Sequence, residues 1–197
     1  APVEEMFDEP DVNKVWDVVK GGVDNQFLLT CGTELGDEDE DENADGIIRG
    51  HSYTILDACE IKSVRGTERL VKIRNPWVNF EWKGDWSDKS DLWTADLMEH
   101  LNYKPENNDG IFFMSIEDYN KYFPVTYVCK YRKNNYYYSI NFQHGLNNYN
   151  VVRLYVPENS EITVSLNQRD KRFFKGTNHP EYQYSYSRLL IAEIKKD

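Results

Sequence analysis

The sequence predicts an α+β fold. Residues 1–125 combine an antiparallel sheet with a few helices, and an all-β unit follows over 126–197. Three observations carry this expectation. "PDVNKVWDVVKGG" repeats apolar residues at helical spacing, the segments near 51–62 and 69–75 have the layout of hairpin arms, and helical periodicity fades after Pro124.

The elements follow in order. Asp11 is placed to cap a helix whose apolar stripe is Val12, Val15, Trp16 and Val19, with Gly21 at its end. "NQFLLTCGT" reads as a buried strand. An acidic loop leads to a strand from about His51 to Lys62, the turn "SVRGTE" and the strand "RLVKIRN". "SDLWTADLMEHL" predicts a helix beginning near Ser90, and "DGIFFMS" a short strand. "SIEDYNKYF" opens with a capping box, Ser115 three residues before Asp118. From "VTYVCKYRKNNYYYSINF" onward, aromatic and β-branched residues alternate between Asn, Gly and Pro turns. "NVVRLYVP", "SEITVSLNQ" and "SRLLIAEIK" are further strand candidates. About five strands are few for a closed sandwich, so this second domain is expected to be incomplete.

Composition narrows the function classes. Glu34, Asp37 to Glu42 and Asp45 put eight acids and no base into residues 34–45, so removing that run takes the net charge of −11 to about −3. No basic face is available for nucleic acid. No apolar run approaches the roughly 18 residues of a membrane span. Three cysteines, Cys31, Cys59 and Cys129, lack metal-type spacing and point to reduced thiols in an intracellular, cytoplasmic setting. The opening "APVEEMFDEPDV" has no initiator methionine, so a fragment of a longer protein is expected. "DENADGIIRGHS" partly imitates an EF-hand, but Ser52 stands where the bidentate glutamate belongs.

Two residues carry chemistry. On composition alone, His51 in "IIRGHSYTILDA" is a strand-edge histidine. Asn75, in "VKIRNPWVNFEW", ends the strand expected to pair with it, so the two side chains can meet across the ladder. An asparagine oxygen accepting an imidazole N–H fixes the tautomer and aims the other nitrogen at a thiol, without adding a full charge. Trp77 either shields that bond from water or packs the core.

"GHSYTI", "LVKIRNPW", "FEWKGDWSD" and "DGIFFMSIEDYNKYF" resemble, in order, the second half of the calpain protease core over about residues 10–125. The resemblance implies a papain-like β-rich half-domain, with His51 and Asn75 as catalytic residues and Trp77 beside the active cleft. It further implies a calpain-type β-sandwich domain over 126–197, resting on "EITVSLNQRDKRF". The whole protein would then be a calcium-dependent intracellular cysteine endopeptidase acting on protein or peptide substrates. None of the three cysteines is placed to be its nucleophile, so the partner of His51 is expected in a Cys-bearing half outside this chain, and the isolated chain is expected to be inactive. By resemblance, calcium would be held by Glu81, Asp88, the main-chain carbonyl at Asn107 and Asp109. Ile111 departs from the family, which places an acid there, so a weakened site is expected. "NPWVN" departs as well, since Gly-Glu commonly follows the tryptophan. Two alternatives stand beside this reading: a non-catalytic calpain relative, and a β-sandwich module that docks membranes peripherally or binds partners.

Overall fold

A computed structural model describes residues 2–6, 11–35, 43–106, 109–131, 133–142, 145, 149–156, 158–179 and 181–192. The elements are β1 (Pro2–Met6), α1 (Val12–Asp24), β2 (Leu28–Gly32), β3 (Ser52–Ser63), β4 (Gly66–Arg74), α2 (Ala95–His100), β5 (Ile111–Ser115), α3 (Ile116–Tyr122) and β6 (Val125–Cys129). A 3-10 helix follows at Lys171–Phe174. The six strands make one sheet in the order β1-β6-β2-β3-β4-β5, antiparallel throughout.

Helices α1 and α3 form where their caps predict. The Asp11 carboxylate accepts from the Asn13 N–H at the start of α1, and Ser115 accepts from the Asp118 N–H at the start of α3. Val15, Trp16, Val19 and Gly22 bury one face of α1. Gly22 lets Leu29 pack close against the helix, since a Cβ would stand 2.6 Å from Leu29 Cδ2 and the leucine would have to shift. The helix expected from Ser90 instead begins at Ala95, capped by the Thr94 hydroxyl. Residues 87–93 are spent on turns that let the Trp93 indole donate to the Ser87 carbonyl over 2.9 Å.

The sheet is buried on both faces near β4 and β5, since successive residues point to opposite sides. Val71, Ile73, Phe112 and Met114 join a core with Trp16, Val19, Tyr53 and Phe123. Leu70 and Phe113 face the other way, against Trp86 and Tyr103. The β3–β4 hairpin is the expected one. Its register pairs Thr54 with Arg74, which brings His51 and Asn75 to the same end of the ladder.

The second unit differs from expectation. The chain divides into compact units Pro2–Asn135 and Tyr136–Asp197, and β6, expected to open the all-β unit, pairs with β2 inside the first. Among the described residues of 136–192 no strand forms, so the expected sandwich is not seen there. Val151, Leu154, Ile162, Val164 and Leu190, the side chains that a second sheet would cover, stay exposed. Local order in this unit centres on the 3-10 helix, capped by Asp170, and on Phe174 stacked against Tyr182 with centroids 4.1 Å apart.

Candidate active site

His51 sits directly before β3 and its main chain is pinned to Thr33, the residue that follows β2. Its N–H donates to the Thr33 hydroxyl over 3.0 Å, and its carbonyl accepts from the Thr33 N–H over 3.1 Å. Gly50, at φ 63°, supplies the sharp turn that brings the imidazole in. The ring is buried, edge-on to Tyr53 at 5.1 Å between centroids.

Asn75 is fully buried, and its amide orientation is fixed by its neighbours. The Trp77 N–H donates to Oδ1 over 3.0 Å, and Nδ2 donates to the Phe80 carbonyl over 2.9 Å. With Oδ1 so identified, the 3.0 Å contact between it and His51 Nε2 requires Nε2 to carry the proton. The buried peptide environment therefore selects the Nε2–H tautomer. The Trp77 ring leans over the imidazole, 4.4 Å between centroids at 46°, and is 41% exposed itself. The ring therefore lies at the surface against the imidazole and is not among the buried core side chains.

The cysteines are all free thiols. Cys31 lies opposite Tyr53 in register, on the strand next to the one that His51 precedes, yet it is fully buried. Burial pushes its thiol far above the usual range, against a smaller lowering by Tyr119. Burial, helped by the Asp57 charge, raises Cys59 to about 11. Cys129 ends β6. None stands at a helix N-terminus, where a thiolate would be favoured.

Of the residues tied to calcium, Asn107 lies outside the described residues. Glu81 Oε1 accepts from the Gly110 N–H over 2.7 Å, and Asp109 Oδ1 accepts from the Ile111 N–H over 2.7 Å. Asp88 accepts from the Tyr103 hydroxyl through Oδ1, while its buried Oδ2 has no hydrogen-bond partner among the described residues. Burial raises Asp88 to about 6 despite that hydrogen bond, and the Glu81 and Asp109 carboxylates push the same way. An orphaned oxygen among repelling carboxylates is a donor set that fits a hard cation such as calcium. Among the described residues, however, no three acidic, His or Cys side chains already converge on one point. In the partial EF-hand segment, Ser52 opens a strand, not a helix.

Comparison with known families decides the lineage. The model of the calpain family cysteine proteases matches residues 2–130. The chain belongs to the calpain family. Over 118 residues it is 41% identical to the calpain-type cysteine protease DEK1 of Arabidopsis thaliana, covering 59% of this chain and 5% of that protein. Over 117 residues it is 34% identical to human calpain-14, covering 59% of this chain and 17% of that protein. The mouse calpain-2 catalytic subunit is 28% identical over 115 residues, 57% of this chain and 16% of that protein. This calpain chain thus spans a small part of the relatives it matches.

Several supporting groups in the calpain site were not named from sequence. Thr33 and the Phe80 carbonyl gave no signal. Gly110 did give one, the Asp-Gly dipeptide ahead of a strand. Tyr103 gave none, because its bond to Asp88 joins residues 15 apart across turns and α2.

Proposed function

We propose that this chain supplies the histidine and asparagine of a calpain-type, calcium-dependent cysteine endopeptidase, and that the nucleophilic thiol comes from a part of the protein outside these 197 residues. The observation that carries the reading is the 3.0 Å bond between His51 Nε2 and the locked Asn75 amide. It leaves proton transfer with a thiol to Nδ1. The reaction follows from that geometry. The thiol proton passes to His51, and the thiolate sulfur bonds to the scissile carbonyl carbon. As the C–N bond breaks, His51 returns the proton to the leaving amine. A water then gives its proton to the same nitrogen, attacks the thioester and releases the acid. Asn75 keeps Nε2–H satisfied throughout and stabilises the imidazolium without becoming charged itself. Trp77 excludes water from that bond.

Glu81, Asp88 and Asp109 are the side chains that would hold calcium, with the carbonyl at Asn107. Calcium, when bound, would supply positive charge beside these carboxylates. An isoleucine at 111 removes one acid and weakens the site. Three free cysteines favour an intracellular, cytoplasmic setting. Peptide or protein chains are the substrates, and residues 136–197 belong to a sandwich-type domain that is complete only in the whole protein.

The test is peptide hydrolysis by the whole protein and by this chain. The whole protein should cleave, and His51→Ala should reduce turnover by roughly 10³-fold or more. This chain alone should not cleave. A small residue in place of the nucleophilic cysteine in the whole protein would support the non-catalytic alternative and end the protease reading.

A further inference from the structure

Asn75 is anchored at its main chain as well as its amide. Its N–H donates to the Gly110 carbonyl over 2.8 Å, and the Gly110 N–H donates to Glu81 Oε1 over 2.7 Å. The peptide that carries the Gly110 carbonyl is held at its other end, where the Ile111 N–H donates to Asp109 Oδ1 over 2.7 Å. Both peptide planes flanking Gly110 are therefore oriented by carboxylates, and the outcome is delivered to Asn75 and on to His51 Nε2 at 3.0 Å. Gly110 has no slack. At φ +79°, an added Cβ would stand 2.5 Å from the Asn75 carbonyl oxygen and 3.0 Å from Val78 Cα. A peptide wedged this closely transmits displacement, because its neighbours have nowhere to yield.

We propose that Glu81, acting through the Gly110 peptide, is a positioning residue for the Asn75–His51 pair, in addition to any cation it helps to hold. The proposal rests on the catalytic reading of His51 and Asn75.

Glu81→Gln separates the two roles. The glutamine carbonyl still accepts from the Gly110 N–H, while the charge that a cation needs is gone. Glu81→Ala removes both. In the 197-residue chain, ring 15N shifts of His51 report the tautomer directly. Glu81→Gln should keep the wild-type pattern, with Nε2 protonated and Nδ1 not, while losing most calcium response. Glu81→Ala should move the two nitrogen shifts toward each other as the tautomers mix. If Glu81→Ala does not fold, Glu81→Asp takes its place, since the shorter side chain draws the acceptor back and should move the same signals. Unchanged ring shifts in folded Glu81→Ala or Glu81→Asp would overturn the proposal. So would Glu81→Gln shifts as large as those of the variant without the acceptor. Failure of the catalytic reading looks different: the whole protein would retain turnover with His51→Ala, whatever the ring shifts do.

Discussion

Tyr103 donates its hydroxyl hydrogen to Oδ1 of Asp88, and the other, buried oxygen of that carboxylate has no hydrogen-bond partner among the described residues. The pair sits where α2, β5 and the loop after β4 come together, so its protonation is linked to stability. Burial is the main reason that Asp88 rises from 3.8 to about 6, with Glu81 and Asp109 adding repulsion. A carboxyl raised in the folded state binds its proton more tightly there than in the unfolded chain. Its stabilising contribution is complete below about pH 4 and is lost as pH rises through about 6. Melting followed by circular dichroism with a chelator present should show it. The stability of the wild type relative to Asp88→Asn should fall between pH 4 and 7.

Calcium should reverse that loss. At pH 7.5, calcium at about ten times its dissociation constant adds about 1.4 kcal/mol to the folded state. Wild-type chain should therefore melt a few degrees higher in millimolar calcium, and Asp88→Ala should not. Ile111→Glu should tighten binding roughly tenfold by restoring a carboxylate, an effect of about 1.4 kcal/mol. Calorimetric titration measures both. No response of the wild type at millimolar calcium would remove the site.

Val78 has φ +71°, a conformation that β-branched residues rarely adopt. The turn demands it, since the Val78 N–H donates to the Asn75 carbonyl over 3.2 Å and Gly110 packs against its backbone. The strain costs about 1–3 kcal/mol, and glycine there would lose about 0.5–1 kcal/mol to chain entropy. Val78→Gly should therefore raise the melting temperature by roughly 3 °C. A lower melting temperature would show that the valine side chain contributes more than its backbone costs.

The thiols should behave as structural groups. With Cys59 raised to about 11, its thiolate fraction at pH 7.5 is roughly 10²-fold below that of an ordinary thiol, and Cys31 is lower still. Alkylation of the native chain, mapped by peptide mass, should leave Cys31 and Cys59 unmodified after a free thiol has reacted fully. Fast labelling of Cys31 would reopen the search for the nucleophile within this chain.

The sequence carried the site further than it carried the sheet. His51 and Asn75 were legible because a hairpin fixes register locally, so a histidine before one arm and an asparagine after the other must share an end. Asp11 and Ser115 were legible because a cap is a short-range bond. The place of β6 between β1 and β2 was not, since its alternation is the same in either unit and only long-range pairing chooses. Val78 in the left-handed region contradicts its own propensity, and tertiary packing imposed it. Gly110 was visible as an Asp-Gly turn, but its bond to Asn75 joins residues 35 apart in sequence. The strands expected after residue 135 had alternation without an opposing sheet, and their apolar faces remain uncovered among the described residues.

The central claim is that His51 activates a thiol, and the rate of alkylation of that thiol in the whole protein tests it most directly. Paired with an imidazolium, the nucleophile is a thiolate at pH 6, whereas an ordinary thiol near 8.5 is ionised there to well under about 1%. The wild-type protein should react with iodoacetamide at pH 6 roughly 10²-fold faster than His51→Ala, with Asn75→Ala in between. Equal rates in wild type and His51→Ala would contradict the account.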